Sequence, residues 1–223
     1  MRIKVNGIEL YYVKRGTGSP FVLLHGNGQD HTIYGALIRR LSRHYTVYAI
    51  DSRDHGKSSR VKYLSYLDKM KDTAAFIEAL DLRKPLLYGF SDGGIIGILL
   101  AIYHPDILSK LIISGANTHP DGIKRPMLAL IKIGYFFTRS NKLKLMLTQP
   151  DITDEQLRTI TTPTMVLAGR HDIIKQKHTE NIASNIPGSI LWIINGEGHQ
   201  SYLMSSDKLY MILEPFINEG FTG

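Results

Sequence analysis

The 223-residue sequence predicts an α/β protein, an eight-stranded and mostly parallel sheet covered by helices on both faces. Three observations carry that reading. Eight short apolar runs, alternating or continuous and bounded by turn residues, have strand character. From the third run onward they alternate with stretches of helical period, the pattern of a parallel sheet. The length suits one domain over residues 1–223, because single cores commonly reach ~250 residues before they split.

The first two runs, "RIKV" (2–5) and "LYYVKRG" (10–16), flank Asn6 and Gly7, a dipeptide suited to a tight hairpin turn, so the sheet should open antiparallel. "PFVLLHG" (20–26) is continuously apolar, as a central strand is, and a helical pattern follows at 32–42. Then come "YTVYAID" (45–51), a helix at 64–80, "KPLLYGF" (84–90), a helix at 92–103 and "KLIISGA" (110–116). After a gap follow "PTMVLAGR" (163–170), a helix at 175–185, "SILWIING" (189–196) and a helix at 207–218. The gap, about 117–161, has no strand pattern and two short amphipathic helices, at 126–137 and 141–147. Core strands lie on either side of it, so it reads as a small helical lid inserted above the sheet, since ~45 residues could scarcely hold a core of their own.

Composition removes several classes of function. With 43% apolar and 21% charged residues the chain has the makeup of a packed globular protein. The absence of cysteine rules out disulfides, thiol catalysis and thiolate metal centres, leaving Ser, Thr, Lys, Asp or Glu as nucleophiles. The N-terminal residues lack the apolar region of a signal peptide, so a cytoplasmic location is expected. The longest apolar stretches, "GGIIGILLAI" and "MLALIKIGYFF", fall short of the ~20 residues of a membrane span, and no stable membrane insertion is expected. Net charge is +7, and residues 122–150 contribute six basic side chains with no Asp or Glu. A solvated face is the plainer account of that segment; attraction of an anionic substrate, a membrane or a nucleic acid is the functional one, and the last two would show affinity that falls steeply with salt. No nucleic-acid motif and no His-Glu-x-x-His or comparable cluster occurs, so neither a nucleic-acid partner, a metal nor another cofactor is expected.

Open α/β sheets gather reactive groups at the carboxyl ends of their strands, and polar clusters stand at several of those ends here. In "LLYGFSDGGIIGILLAIYHP" a serine sits between an apolar strand and an apolar helix. Gly89-x-Ser91-x-Gly93 has the spacing of a nucleophile elbow, a strained turn that projects the Ser91 hydroxyl while the glycines let strand and helix approach. A helix-capping serine beside a structural glycine turn is the plainer alternative. A serine hydroxyl needs a base. Of nine histidines, His199 lies in the glycine-rich loop "NGEGHQS" beyond the last strand, within reach of the sheet top. His25, His55, His119 and His171 read as loop or surface residues. The base needs an orienting carboxylate, and Asp172 follows "PTMVLAGR". The position after "KLIISGA" offers only Gly115, Ala116 and Asn117, and Glu197 stands too near His199 in sequence to reach the right imidazole edge. The order is Ser, Asp, His. The backbone amides of Asn27, in "HGNG", and Asp92, at the helix start, match the donors an oxyanion requires.

On His25-Gly26-Asn27-Gly28, the loop Asp51 to Ser58, the elbow Gly89 to Gly93, Asp172 and His199, the chain resembles α/β-hydrolase fold enzymes over nearly its whole length. "GFSDGG" and "DSRDHGKS" are most similar to small bacterial hydrolases of the esterase, haloperoxidase-like and valacyclovir-hydrolase-like groups. A frequent form of the second loop has Gly where this chain has Asp54. Ser91 in the nucleophile position sets the chain apart from haloalkane dehalogenases and epoxide hydrolases, where the resemblance implies Asp. The expectation is a serine hydrolase that cleaves a small or medium carboxylic ester, with Leu128, Ile131 and Tyr135 of the lid facing the substrate and the chain a monomer or homodimer. Thioester, lactone, amide, peroxyacid and carbon–carbon chemistry use the same triad, and a non-hydrolytic binding protein is the alternative from another class.

Overall fold

The computed structural model describes residues 1–204 and 207–218. Its eight strands are β1 (Arg2–Val5), β2 (Ile8–Arg15), β3 (Ser19–Leu24), β4 (Tyr45–Ile50), β5 (Leu86–Phe90), β6 (Lys110–Ser114), β7 (Thr164–Gly169) and β8 (Ile190–Ile194). They form one sheet in the order β1-β2-β4-β3-β5-β6-β7-β8. The β1–β2 hairpin turns through Asn6 and Gly7, both at positive φ, and β2 also runs antiparallel to β4; every later pairing is parallel.

Alternation along the strands divides the core in two. Val22, Leu24, Leu87, Leu111, Ile113 and Val166 face one side, under α2 (Tyr66–Ala79), α3 (Asp92–Tyr103) and α7 (Gln176–Asn185). Phe21, Leu23, Tyr88, Phe90, Ile112 and Leu167 face the other, under α1 (Gly35–Leu41), α8 (Ser201–Met204) and α9 (Lys208–Asn218). Between β6 and β7 lie α4 (Arg125–Thr138), α5 (Asn141–Thr148) and α6 (Asp154–Arg158), three helices rather than two. Five residues are too few to display a 3.6-residue period. The legible signal for α6 was its capping box, in which Thr153 Oγ1 accepts from the Gln156 amide and the Gln156 side chain accepts from the Thr153 amide. No helix among the described residues is long and apolar enough to cross a membrane.

One packing constraint positions the groups at the top of the sheet. Helix α3 crosses β3 and β5 at backbone contact: a Cβ on Gly93 would fall closer than 3.0 Å to Leu24 O, and one on Gly89 would do the same to Gly93 O. Neither obstacle is a side chain able to swing away. Gly93→Ala is therefore expected to lower the unfolding free energy by about 3 kcal/mol or more, read by urea denaturation. A loss under about 1 kcal/mol would mean that the crossing is compliant.

Candidate active site

Ser91 occupies the single residue between β5 and α3, with φ 51° and ψ −113°. A non-glycine residue rarely holds that conformation, which costs of order 1–3 kcal/mol. Two backbone bonds fix it: the Ser91 amide donates to Ser114 O of the adjacent strand (2.7 Å), and Ser91 O accepts from the Ile95 amide (3.1 Å).

Asp172 lies three residues past β7 in a turn closed by its own amide on Gly169 O (3.0 Å). Its side chain is only 2% exposed. Oδ1 accepts from the Ile174 amide (2.8 Å) and contacts His199 Nδ1 (2.7 Å). A carboxylate only accepts, so Nδ1 carries a proton, and in the neutral imidazole Nε2 then keeps its lone pair. Nε2 lies 3.2 Å from Ser91 Oγ, the direction from which that hydroxyl can donate. His199 is held from two further sides. Its ring packs on Phe90 at 4.8 Å between centroids, and the neighbouring Gln200 accepts a bond from Gln29 Nε2 (2.9 Å). Glu197 pairs with Lys208 and Ser201, away from the imidazole.

The amide of Asp92 opens α3, where first-turn N–H groups have no intrahelical acceptor. Asn27, in the loop after β3, lines the cavity that Ser91 also lines, and its side chain reaches up to α5, donating from Nδ2 to Lys142 O (2.9 Å). Asp54 holds the left-handed conformation that glycine favours (φ 63°), and its carboxylate meets Lys142 Nζ at 3.4 Å.

Sequence reasoning missed what stands behind the serine. The Asp92 carboxylate points into the core, where Oδ2 accepts from Lys69 Nζ (2.7 Å) and Oδ1 from Tyr66 Oη (2.7 Å), all three side chains being buried. Burial alone would raise the Asp92 pKa. The Lys69 ammonium and the hydrogen bonds from Lys69 and Tyr66 outweigh it and hold the carboxyl below its usual value.

The other histidines organise loops. His25 bridges two of them, donating from Nδ1 to Gly26 O (2.7 Å) and accepting at Nε2 from the Ser52 amide (3.0 Å). Burial lowers its pKa. Burial and the nearby Lys69 charge hold His55 down to about 3. His171 is exposed, and His119 pairs at the surface with Asp151. Donor atoms of Asp30, His31 and Asp51 lie within 4.8 Å of one another. Hydrogen bonds account for that cluster, since Asp51 accepts at Oδ1 from the His31 amide and at Oδ2 from the Lys57 amide.

A cavity of about 310 Å³ opens over Ser91 and His199. Its walls come from the 26–29 loop, Phe90, Ile173 and, above, Leu143 and Met146 of α5 with Lys142 at the edge. Leu128, Ile131 and Tyr135 of α4 do not line it. Ile131 packs with Ile123 and Ile174, Leu128 lies against that cluster, and Tyr135 sits beneath the Arg139 guanidinium, because α5 stands between α4 and the cavity.

Comparison with known proteins agrees with this architecture. A family model described as alpha/beta hydrolase fold matches residues 19–138. The chain is 27% identical to the human serine hydrolase BPHL, covering 97% of this chain and 85% of that protein. It is 24% identical to a putative esterase/lipase of Haemophilus influenzae, covering 95% and 88%. Among solved structures, the enol-lactonase of Burkholderia xenovorans superposes with a TM-score of 0.84 at 20% identity, covering 98% of this chain and all of that one.

Two outcomes follow from the buried charges. Lys69→Met strands the Asp92 carboxylate and should cost about 3–5 kcal/mol in urea unfolding, most of it recovered in Lys69→Met/Asp92→Leu. Full additivity of the two losses would mean that the pair is not coupled. His25 and His55 have folded pKa values below the unfolded one, so the stability tied to their neutral forms is complete above pH ~6.5 and is lost as pH falls toward the folded values. Unfolding free energy should drop by of order 3 kcal/mol between pH ~7 and ~4, with a shallower slope in His55→Gln.

Proposed function

The chain is a hydrolase of the α/β-hydrolase fold family, and on that premise we propose that it cleaves a small or medium carboxylic ester through an acyl-enzyme on Ser91. The observation that carries this reading is the unbroken hydrogen-bond path from Asp172 Oδ1 through His199 to Ser91 Oγ. Its serine is lifted into the cavity by a positive-φ turn.

Ser91 Oγ attacks the ester carbonyl as its proton passes to His199 Nε2. Asp172 holds the Nδ1 proton and stabilises the imidazolium. The carbonyl oxygen, now negative, is received by the amides of Asn27 and Asp92, an interaction worth ~3 kcal/mol per donor in comparable sites. Collapse expels the alcohol, which takes the proton from Nε2. Water then adds to the acyl carbon, gives its proton to Nε2, and the second collapse returns Ser91 and releases the acid. The cavity size, at the lower end for small-molecule sites, supports a short or medium acyl chain over a long one. The lactonase among the structural neighbours acts on a cyclic ester by its name, and a lactone would pass through the same steps here.

Intact-mass detection of fluorophosphonate labelling tests the mechanism directly. Wild type should gain one adduct, Ser91→Ala none, and His199→Ala should label far more slowly. Asp172→Asn should retain the fold and lose about 10³–10⁴ in kcat on a p-nitrophenyl ester, because the wrong tautomer then faces Ser91. No adduct on folded wild type would overturn the hydrolytic reading in favour of a protein that binds ligand in this cavity without turnover.

A further inference from the structure

Helix α4 carries apolar side chains on the wrong side for the core. Its inward face, Met127, Leu128 and Ile131, meets Ile123, Ile174 and the residues of α5. The opposite arc presents Leu130, Ile133, Phe136 and Phe137, which are 61%, 56%, 63% and 77% exposed. Four large apolar side chains brought together on one solvent-facing arc differ from the scattered exposed leucines of an ordinary surface. Helical spacing puts all four within about a third of the circumference. Arg125 and Lys132 run along one edge of that arc by the same spacing, and the Arg139 guanidinium lies 5.5 Å from the Phe136 ring at its end. No acidic residue occurs anywhere in 122–150.

We propose that this face of α4 docks the protein onto an anionic lipid surface, with Leu130, Ile133, Phe136 and Phe137 entering the headgroup boundary while Arg125, Lys132 and Arg139 meet the lipid phosphates. A helix with an apolar face and a basic edge lies in the plane of such an interface without spanning it. Charge complementarity selects this occupant over the others. A second copy of the chain seated on the same arc would bring two acid-free basic segments together, and like charges across an interface repel. A nucleic acid would satisfy the cations and leave the four apolar side chains in water. An anionic bilayer meets both demands at once. The docking is independent of the ester chemistry proposed above, since none of these side chains lines the cavity.

Co-sedimentation of the full chain with phosphatidylcholine vesicles, with and without a third of phosphatidylglycerol, tests it. Binding should require the anionic lipid and fall at least about tenfold as salt rises from ~0.05 to ~0.5 M. Ile133→Ser/Phe137→Ser should reduce binding by at least about tenfold, and Arg125→Gln/Lys132→Gln should weaken it on anionic vesicles. Both pairs are exposed, so the urea midpoint and the emission of the sole tryptophan, Trp192, should match wild type. Three results would overturn the proposal: no binding to anionic vesicles; binding that the serine variant leaves unchanged; or a wild-type dimer, by light scattering, that the serine variant converts to a monomer. The last would assign the face to a second copy of this chain.

Discussion

The contact between α3 and the two strands beneath it sets the terms for the rest of the molecule. At Gly93 the helix lies on the Leu24 carbonyl, and at Gly89 the strand lies on the first turn of the helix. That closeness places Ser91 at the top of the sheet and the Asp92 amide beside it. The carboxyl ends of β3, β7 and β8 supply the remaining groups: the 26–29 loop, the Asp172 turn and the His199 loop. Four segments far apart in sequence therefore meet at one hydroxyl. Each is carried by a strand, and the parallel pairing of β3, β5, β6, β7 and β8 fixes the distances between them.

Electrostatics beneath the serine is arranged in two separate systems. Asp172 directs Oδ1 to His199 and to the Ile174 amide, so its charge is spent on orienting one imidazole. Asp92 lies closer to the serine in sequence, yet its carboxylate turns away from the cavity and is neutralised by Lys69 with Tyr66 alongside. The two carboxylates thus differ in role because of their partners. Around them His25 and Asp51 hold the two loops after β3 and β4 with neutral and charge-assisted bonds.

Much of this was legible in the chain itself. The eight strands follow from apolar runs of the right length, and the hairpin from Asn6-Gly7. Ser91, Asp172 and His199 could be picked out because each follows a readable strand, and strand ends converge in such sheets whatever the lengths of the connections. What escaped depends on packing between helices. Lys69 reads as one more surface lysine of an amphipathic helix, and nothing local reveals that α2 packs it under Asp92. The expectation that Leu128, Ile131 and Tyr135 face the substrate rests on the apolar face of α4. The structure puts α5 at the cavity wall instead, and much of the apolar content of α4 faces outward. A periodicity counts apolar positions; it does not say which neighbour covers them.

The backbone at Ser91 has a consequence for how this chain would drift under selection. Position 91 is held at φ 51°, where glycine rests without strain and serine does not. The β5–α3 turn would be more comfortable with no side chain at all. A selection for heat resistance alone would find glycine at this position a gain, while a selection for turnover would keep serine against the preference of the turn. Serine at 91 is thus a residue that the proposed acyl-enzyme requires and that the turn itself does not favour.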